Sequence, residues 1–176
     1  MAVRRILTFG EPALRERATD VDRVTDLHRK LVDDMIETMR AAPGVGLAGP
    51  QIGVLDRIFV WEVEEDHGAV INPRITSSSD DTTEEEEGCL SLPGIYYPVV
   101  RPASVTVEGI DEGGEPVKLE AEGLLARVCQ HEIDHLDGVL FVDRLPEELR
   151  KEALAALREQ LLTGVATPPA HPEEML

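Results

Sequence analysis

Leu27, Leu31, Met35 and Met39 recur every four residues, and Val24, Val32 and Ile36 widen the same stripe. That spacing predicts an amphipathic helix over residues 23–40 whose apolar face lies in the core. Pro43 and Gly44 stop it. An irregular loop follows, with glycines at 44, 46, 49 and 53 and a proline at 50. Runs suited to strands appear at 57–62 and 69–72, split by a polar turn at 64–68. Residues 77–87 are Ser, Thr, Asp and Glu throughout, which predicts an exposed loop or edge with no ligand role. Residues 99–110 alternate around Val105 and Val107, turn at Asp111-Glu112-Gly113-Gly114 and return over 116–119, the pattern of a hairpin. Gly123 opens a second apolar helix that runs to about 137 and ends at Gly138. A third helix is expected from about 146 to 162, with Pro146 in its first turn, where the missing N–H costs nothing. Strands in the middle with helices at both ends predict an α+β domain over 1–164. The tail, 165–176, holds three prolines and is expected to be loosely attached.

Composition narrows the function. The chain has 176 residues, enough for one domain with a real core. With 42% hydrophobic and 30% charged residues, it has a globular balance. A net charge of −18 repels phosphate and anionic lipid, so neither DNA nor a membrane is an expected partner. Two cysteines, Cys89 and Cys129, make no disulfide framework. No apolar run reaches the ~18 residues that span a bilayer. Thr8-Phe9-Gly10-Glu11-Pro12 follows the basic N-terminus too closely for a signal peptide, so a cytoplasmic protein is expected.

The strongest chemical signal is His131-Glu132-Ile133-Asp134-His135, a His-Glu-x-x-His on the second helix. Histidines four apart lie about 40° apart around a helix and can share one metal ion. The glutamate beside the first can act as general base on a water held there. The third ligand separates families. A metzincin needs a histidine at 141, where this chain has Phe141; Glu147 and Glu148 sit too close to serve as a downstream helical ligand. Cys89, in Glu87-Gly88-Cys89-Leu90-Ser91, is the better candidate. Cys129 lies about 200° around the helix from His131 and should be a buried apolar residue. Leu124 and Val128 share the histidine face and could line a pocket, with Arg127 at its margin.

Three segments resemble, in order and rough spacing, the signature motifs of peptide deformylases. They are Gly44-Val45-Gly46-Leu47-Ala48-Gly49-Pro50-Gln51, Glu87-Gly88-Cys89-Leu90-Ser91, and Gln130-His131-Glu132-Ile133-Asp134-His135. The likeness runs from Pro12-Ala13-Leu14-Arg15 to Leu140-Phe141-Val142-Asp143-Arg144 and leaves out the tail. Gly49 departs from the family pattern, which has alanine there, and should loosen the loop locally. The resemblance implies antiparallel or mixed sheets packed around a central metal-binding helix, with helices at the N- and C-terminal ends. It also implies a hydrolase that removes the N-formyl group from N-formylmethionine at the start of nascent polypeptides.

By the same resemblance Cys89, His131 and His135 are the metal ligands and Glu132 is the general base. Gln51 and the Leu90 backbone N–H hold the oxyanion. Val45, Gly46 and Gly88 pair with an extended peptide, and Val45, Leu124 and Val128 wall the methionine pocket. The donor set suggests zinc, but the family implies Fe(II), with zinc, nickel or cobalt able to take its place. Arg101 is expected to pair with Asp134 and hold the ligand helix. The last helix mixes Arg150, Lys151 and Arg158 with Glu147, Glu148, Glu152 and Glu159, so any ribosome contact should be weak or made elsewhere; a monomer is expected. Alternatives are a deformylase of a specialised peptide or small molecule, and an inactive metal-binding relative. The presence of both Glu132 and Gln51 argues against the second.

Overall fold

Strand β2, Ile58–Val63, has its first four residues buried, Phe59 and Trp61 on one side and Ile58 and Val60 on the other. A strand covered on both faces reads as a continuous apolar run, and the layers of the computed structural model, which describes residues 2–164, follow from it. Helix α1, Asp26–Ala41, covers one face through Leu31, Met35 and Met39. Helix α2, Gly123–Leu136, packs on the other through Val128, Cys129, Ile133 and Leu136.

The sheet between them is antiparallel, in the order β1 (Gly46–Ala48), β2, β3 (Asp66–Ser78), β6 (Ser104–Ile110), β7 (Pro116–Glu122). A second, two-stranded sheet joins β4 (Thr82–Glu87) to β5 (Tyr97–Pro102). Helix α3, Glu147–Thr163, closes a third apolar cluster with Leu92, Val99, Phe141 and Leu157. The fold is α+β, as expected.

Several local expectations change. Helix α1 starts after Thr25, not at 23, because Thr25 occupies the N-cap and its N–H donates to His28 Nδ1 at 3.0 Å. Leu27 is therefore in the first, projecting turn and is 79% exposed rather than core. The β2–β3 turn shrinks to Glu64 and Glu65, with Val63 paired to Asp66 and Glu64 at φ 58. The polar 77–87 segment is largely strand rather than loop, and β4 is an edge whose outer glutamates face solvent. Pro146 caps α3 from just outside it.

Gly49 does not loosen its loop. A Cβ there would lie 2.8 Å from the carbonyl oxygens of both Val54 and Asp56, so the glycine allows a closer backbone approach than alanine would. The expected loose tail, 165–176, lies outside the described residues.

Candidate metal centre

Helix α2 delivers three chemical groups to the same buried place. His131 and His135 share its inner face, and Glu132, also fully buried, lies against β1: a Cβ on Gly46 would be 2.5 Å from Glu132 Oε1. The 44–53 segment, expected as an irregular loop, holds strand β1 and one short helical turn, and its small residues make room for this carboxylate. Gly44 does the same for Leu90, whose Cδ1 would lie 2.6 Å from an added Cβ.

Cys89 enters from the end of β4. Its Sγ is 3.2 Å from His135 Nε2, and one ligand atom from each of Cys89, His131 and His135 lies within 4.8 Å of the others. Cys129 stays in the apolar cluster between α2 and the sheet, where burial pushes its thiol up to about 12.

Four atoms around this cluster are buried and lack a hydrogen-bond partner among the described residues: His131 Nε2, His135 Nδ1 and both oxygens of Glu132. Orphaned polar atoms in a dry interior are costly unless something binds them. A thiol, two imidazoles and a nearby carboxylate fit one divalent cation with a free position. Burial, and next the charges of His131 and Arg101, lower the basicity of His135 well below the ordinary histidine range, leaving the neutral imidazole that ligates metals. Burial also raises the Cys89 thiol, so the thiolate forms as an ion binds. Burial and the charge of Glu87 raise Glu132 well above the usual carboxylate range. A cation beside it would oppose that shift.

Glu87 is the residue that pattern reasoning missed. It ends an acidic run yet is 0% exposed. Its Oε2 lies 3.1 Å from His131 Nδ1, and it takes a two-pronged ion pair from Arg101, Nε to Oε1 at 2.5 Å and Nη2 to Oε2 at 2.9 Å. Burial alone would raise its carboxyl, but the bonds from Arg101 and His131 hold it down at about 2. An ionised carboxylate only accepts, so Nδ1 of His131 donates to it, and Nε2 is the ring nitrogen left for a metal ion. A carboxylate behind a ligating histidine fixes tautomer and ring orientation in this way.

Arg101 also reaches Asp134, as expected, Nη1 to Oδ2 at 2.9 Å. Arg144 holds the same carboxylate with Nε to Oδ2 at 2.9 Å. Arg101, on β5, therefore ties β4 and α2 together.

Gln51 lies at the far rim, fully buried. Its Oε1 accepts the Ala48 N–H at 2.7 Å, which turns Nε2 toward Cys89 Sγ at 3.7 Å and Ser91 Oγ at 3.4 Å. Val45 and Leu124 are half-buried and join Val128 in one apolar cluster. Arg127 turns away to β4, its Nη1 3.3 Å from the Glu86 carbonyl and its Nη2 3.6 Å from Glu85.

A His-Glu-x-x-His helix facing a buried cysteine, within this α+β frame, places the protein among metal-dependent hydrolases. The family model for polypeptide deformylase matches residues 3–151. A peptide deformylase of Acidothermus cellulolyticus is 51% identical over 164 residues, covering 93% of this chain and 91% of the relative. The crystal structure of the Thermus thermophilus peptide deformylase matches with a TM-score of 0.85 at 47% identity, covering 92% of this chain and 96% of that one. The Ehrlichia chaffeensis peptide deformylase in complex with actinonin matches with a TM-score of 0.87 at 38% identity, covering 91% and 98%. The chain belongs to the polypeptide deformylase family, metal-dependent hydrolases that remove the formyl group from peptides.

Proposed function

We propose that this protein hydrolyses the N-formyl group of N-formylmethionine on newly made polypeptides, with Cys89, His131 and His135 holding the metal ion. The observation that carries the reading is the convergence of these three side chains within 4.8 Å beside the unpartnered carboxylate of Glu132. When bound, the ion lowers the pKa of water toward roughly 7 and polarises the carbonyl under attack. Glu132 takes the water proton and hands it to the leaving amine. Gln51 Nε2, aimed by the bond between its own Oε1 and Ala48, donates to the oxyanion together with the Leu90 N–H. Val45, Gly46 and Gly88 offer backbone groups to an extended peptide, which suits an enzyme that must accept many sequences. Val45, Leu124 and Val128 receive the methionine side chain.

We assign Fe(II) as the native ion, with zinc, nickel or cobalt able to replace it. Cys89 is the atom that oxygen would attack first. Residues 1–164 form the catalytic domain. The bacterial cytoplasm is the proposed compartment, where nascent chains are made; no helix among the described residues is long and apolar enough to cross a membrane. The proposed state is a monomer with at most a weak ribosome contact.

Formate release from a panel of formylated peptides and formylated small molecules tests the substrate. Turnover should be fastest on formylmethionyl peptides; turnover confined to a small molecule would overturn the nascent-chain role. Gln51→Ala should lower kcat by ~10²–10³-fold with peptide affinity less affected. The cysteines separate cleanly. Cys89→Ser should weaken metal binding by more than the ~10–100-fold that outer-shell changes cost, whereas Cys129→Ser should leave turnover largely intact. Elemental analysis of both variants checks this, and a reversed result refutes the ligand assignment.

A further inference from the structure

Gly88 is glycine because an aromatic ring occupies the place of its side chain. A Cβ there would lie 2.4 Å from Tyr96 Cε1, 2.8 Å from Cδ1 and 3.2 Å from Cζ. The ladder explains how the ring arrives. β4 pairs with β5 up to Glu87 opposite Tyr97, so Tyr96 stands opposite Gly88 just beyond the last pair. Its ring lies against the glycine with Cε1 nearest, which puts the hydroxyl, one bond beyond Cζ, close to Gly88. Among the described residues β4 has a strand partner on the β5 side only; Arg127 holds the Glu86 carbonyl, and Gly88 beyond it is the position left to meet an extended peptide.

The Tyr96 hydroxyl is buried and has no hydrogen-bond partner among the described residues. Its neighbour Tyr97 is different: its hydroxyl donates to Glu152 Oε1 at 3.2 Å. A buried, unsatisfied hydroxyl is a liability unless a ligand satisfies it. Burial, and then the charge of Glu86, raise the phenol above its ordinary value, so it remains a protonated donor.

We infer that Tyr96 is a substrate-binding residue whose hydroxyl bonds the backbone of the formylated peptide beyond its first residue. This rests on the deformylase reading above. It assigns length selectivity to one atom: a dipeptide has little backbone to offer Tyr96, and a tetrapeptide has more.

Tyr96→Phe keeps the ring over Gly88 and removes only the oxygen. The experiment measures formate release from formyl-Met-Ala and from formyl-Met-Ala-Ser-Ala, by wild type and variant, and the thermal midpoint of both. The ratio of kcat/KM, tetrapeptide over dipeptide, should fall by about 2–12-fold in the variant, the worth of one net hydrogen bond. The fall should appear mainly in KM. The midpoint should stay level or rise, because the hydroxyl has no partner among the described residues. An unchanged ratio with active wild type overturns the proposal and leaves the deformylase reading intact. A lower midpoint overturns it too, since the hydroxyl would then hold the protein rather than the peptide. No formate release from either peptide by metal-loaded wild type overturns the underlying reading, and this inference with it.

Discussion

Glu132→Gln is expected to retain the metal ion and lose ~10²–10⁴-fold in kcat. The substitution keeps the shape of a side chain that is fully buried and wedged against Gly46, so the fold should tolerate it. In the proposed reaction it removes the group that carries a proton from water to the leaving amine. Both carboxylate oxygens are unpartnered among the described residues, so neither is spent on a structural bond there. Metal content equal to wild type with turnover in the predicted range supports the assignment. Turnover within a few-fold of wild type would mean that another base serves.

Arg101→Met should destabilise the fold by about 3–5 kcal/mol, the usual cost of removing one partner from a buried ion pair. Arg101 is 4% exposed, and it answers two carboxylates at once, Glu87 on β4 and Asp134 on α2. Without it Glu87 keeps only His131 as a partner, and Asp134 keeps Arg144. Free rotation of the Glu87 carboxyl would release the His131 ring, so metal affinity should fall with stability. Denaturant midpoints and metal titrations measure the two effects. A surface strand arginine would show neither.

The chemistry of α2 was legible because it is local. Two histidines and a glutamate at helical spacing need no long-range information to be placed on one side. The same geometry correctly set Cys129 aside. The role of Glu87 was not legible from local pattern, because it closes a run of four glutamates whose first three face solvent. The signal that could have found it lies across the ladder. Residues two apart in a strand share a face, and Arg101, an arginine in a strand facing the core, requires a buried carboxylate nearby. Of the two readings of this segment, exposed loop or edge, the edge holds for Thr82–Glu87, which pairs with β5 despite four glutamates, an instance of context overriding preference.

The start of α1 was misplaced for a smaller reason. The apolar stripe extends to Val24, but Thr25 holds the cap, so periodicity outran the helix and Leu27 was assigned to a core it does not enter. Gly49 shows the opposite error. A glycine in place of alanine suggested slack, whereas the facing carbonyls of Val54 and Asp56 leave no room for a methyl group.

The central claim, that a single ion held by Cys89, His131 and His135 powers deformylation, is tested most directly by stripping the protein with a chelator, returning Fe(II) without oxygen, and following formate release from a formylmethionyl peptide at each addition. Activity should be absent in the stripped protein, rise in proportion to added metal and level off at one ion per chain. Full turnover by stripped protein, or none after reloading, would contradict it.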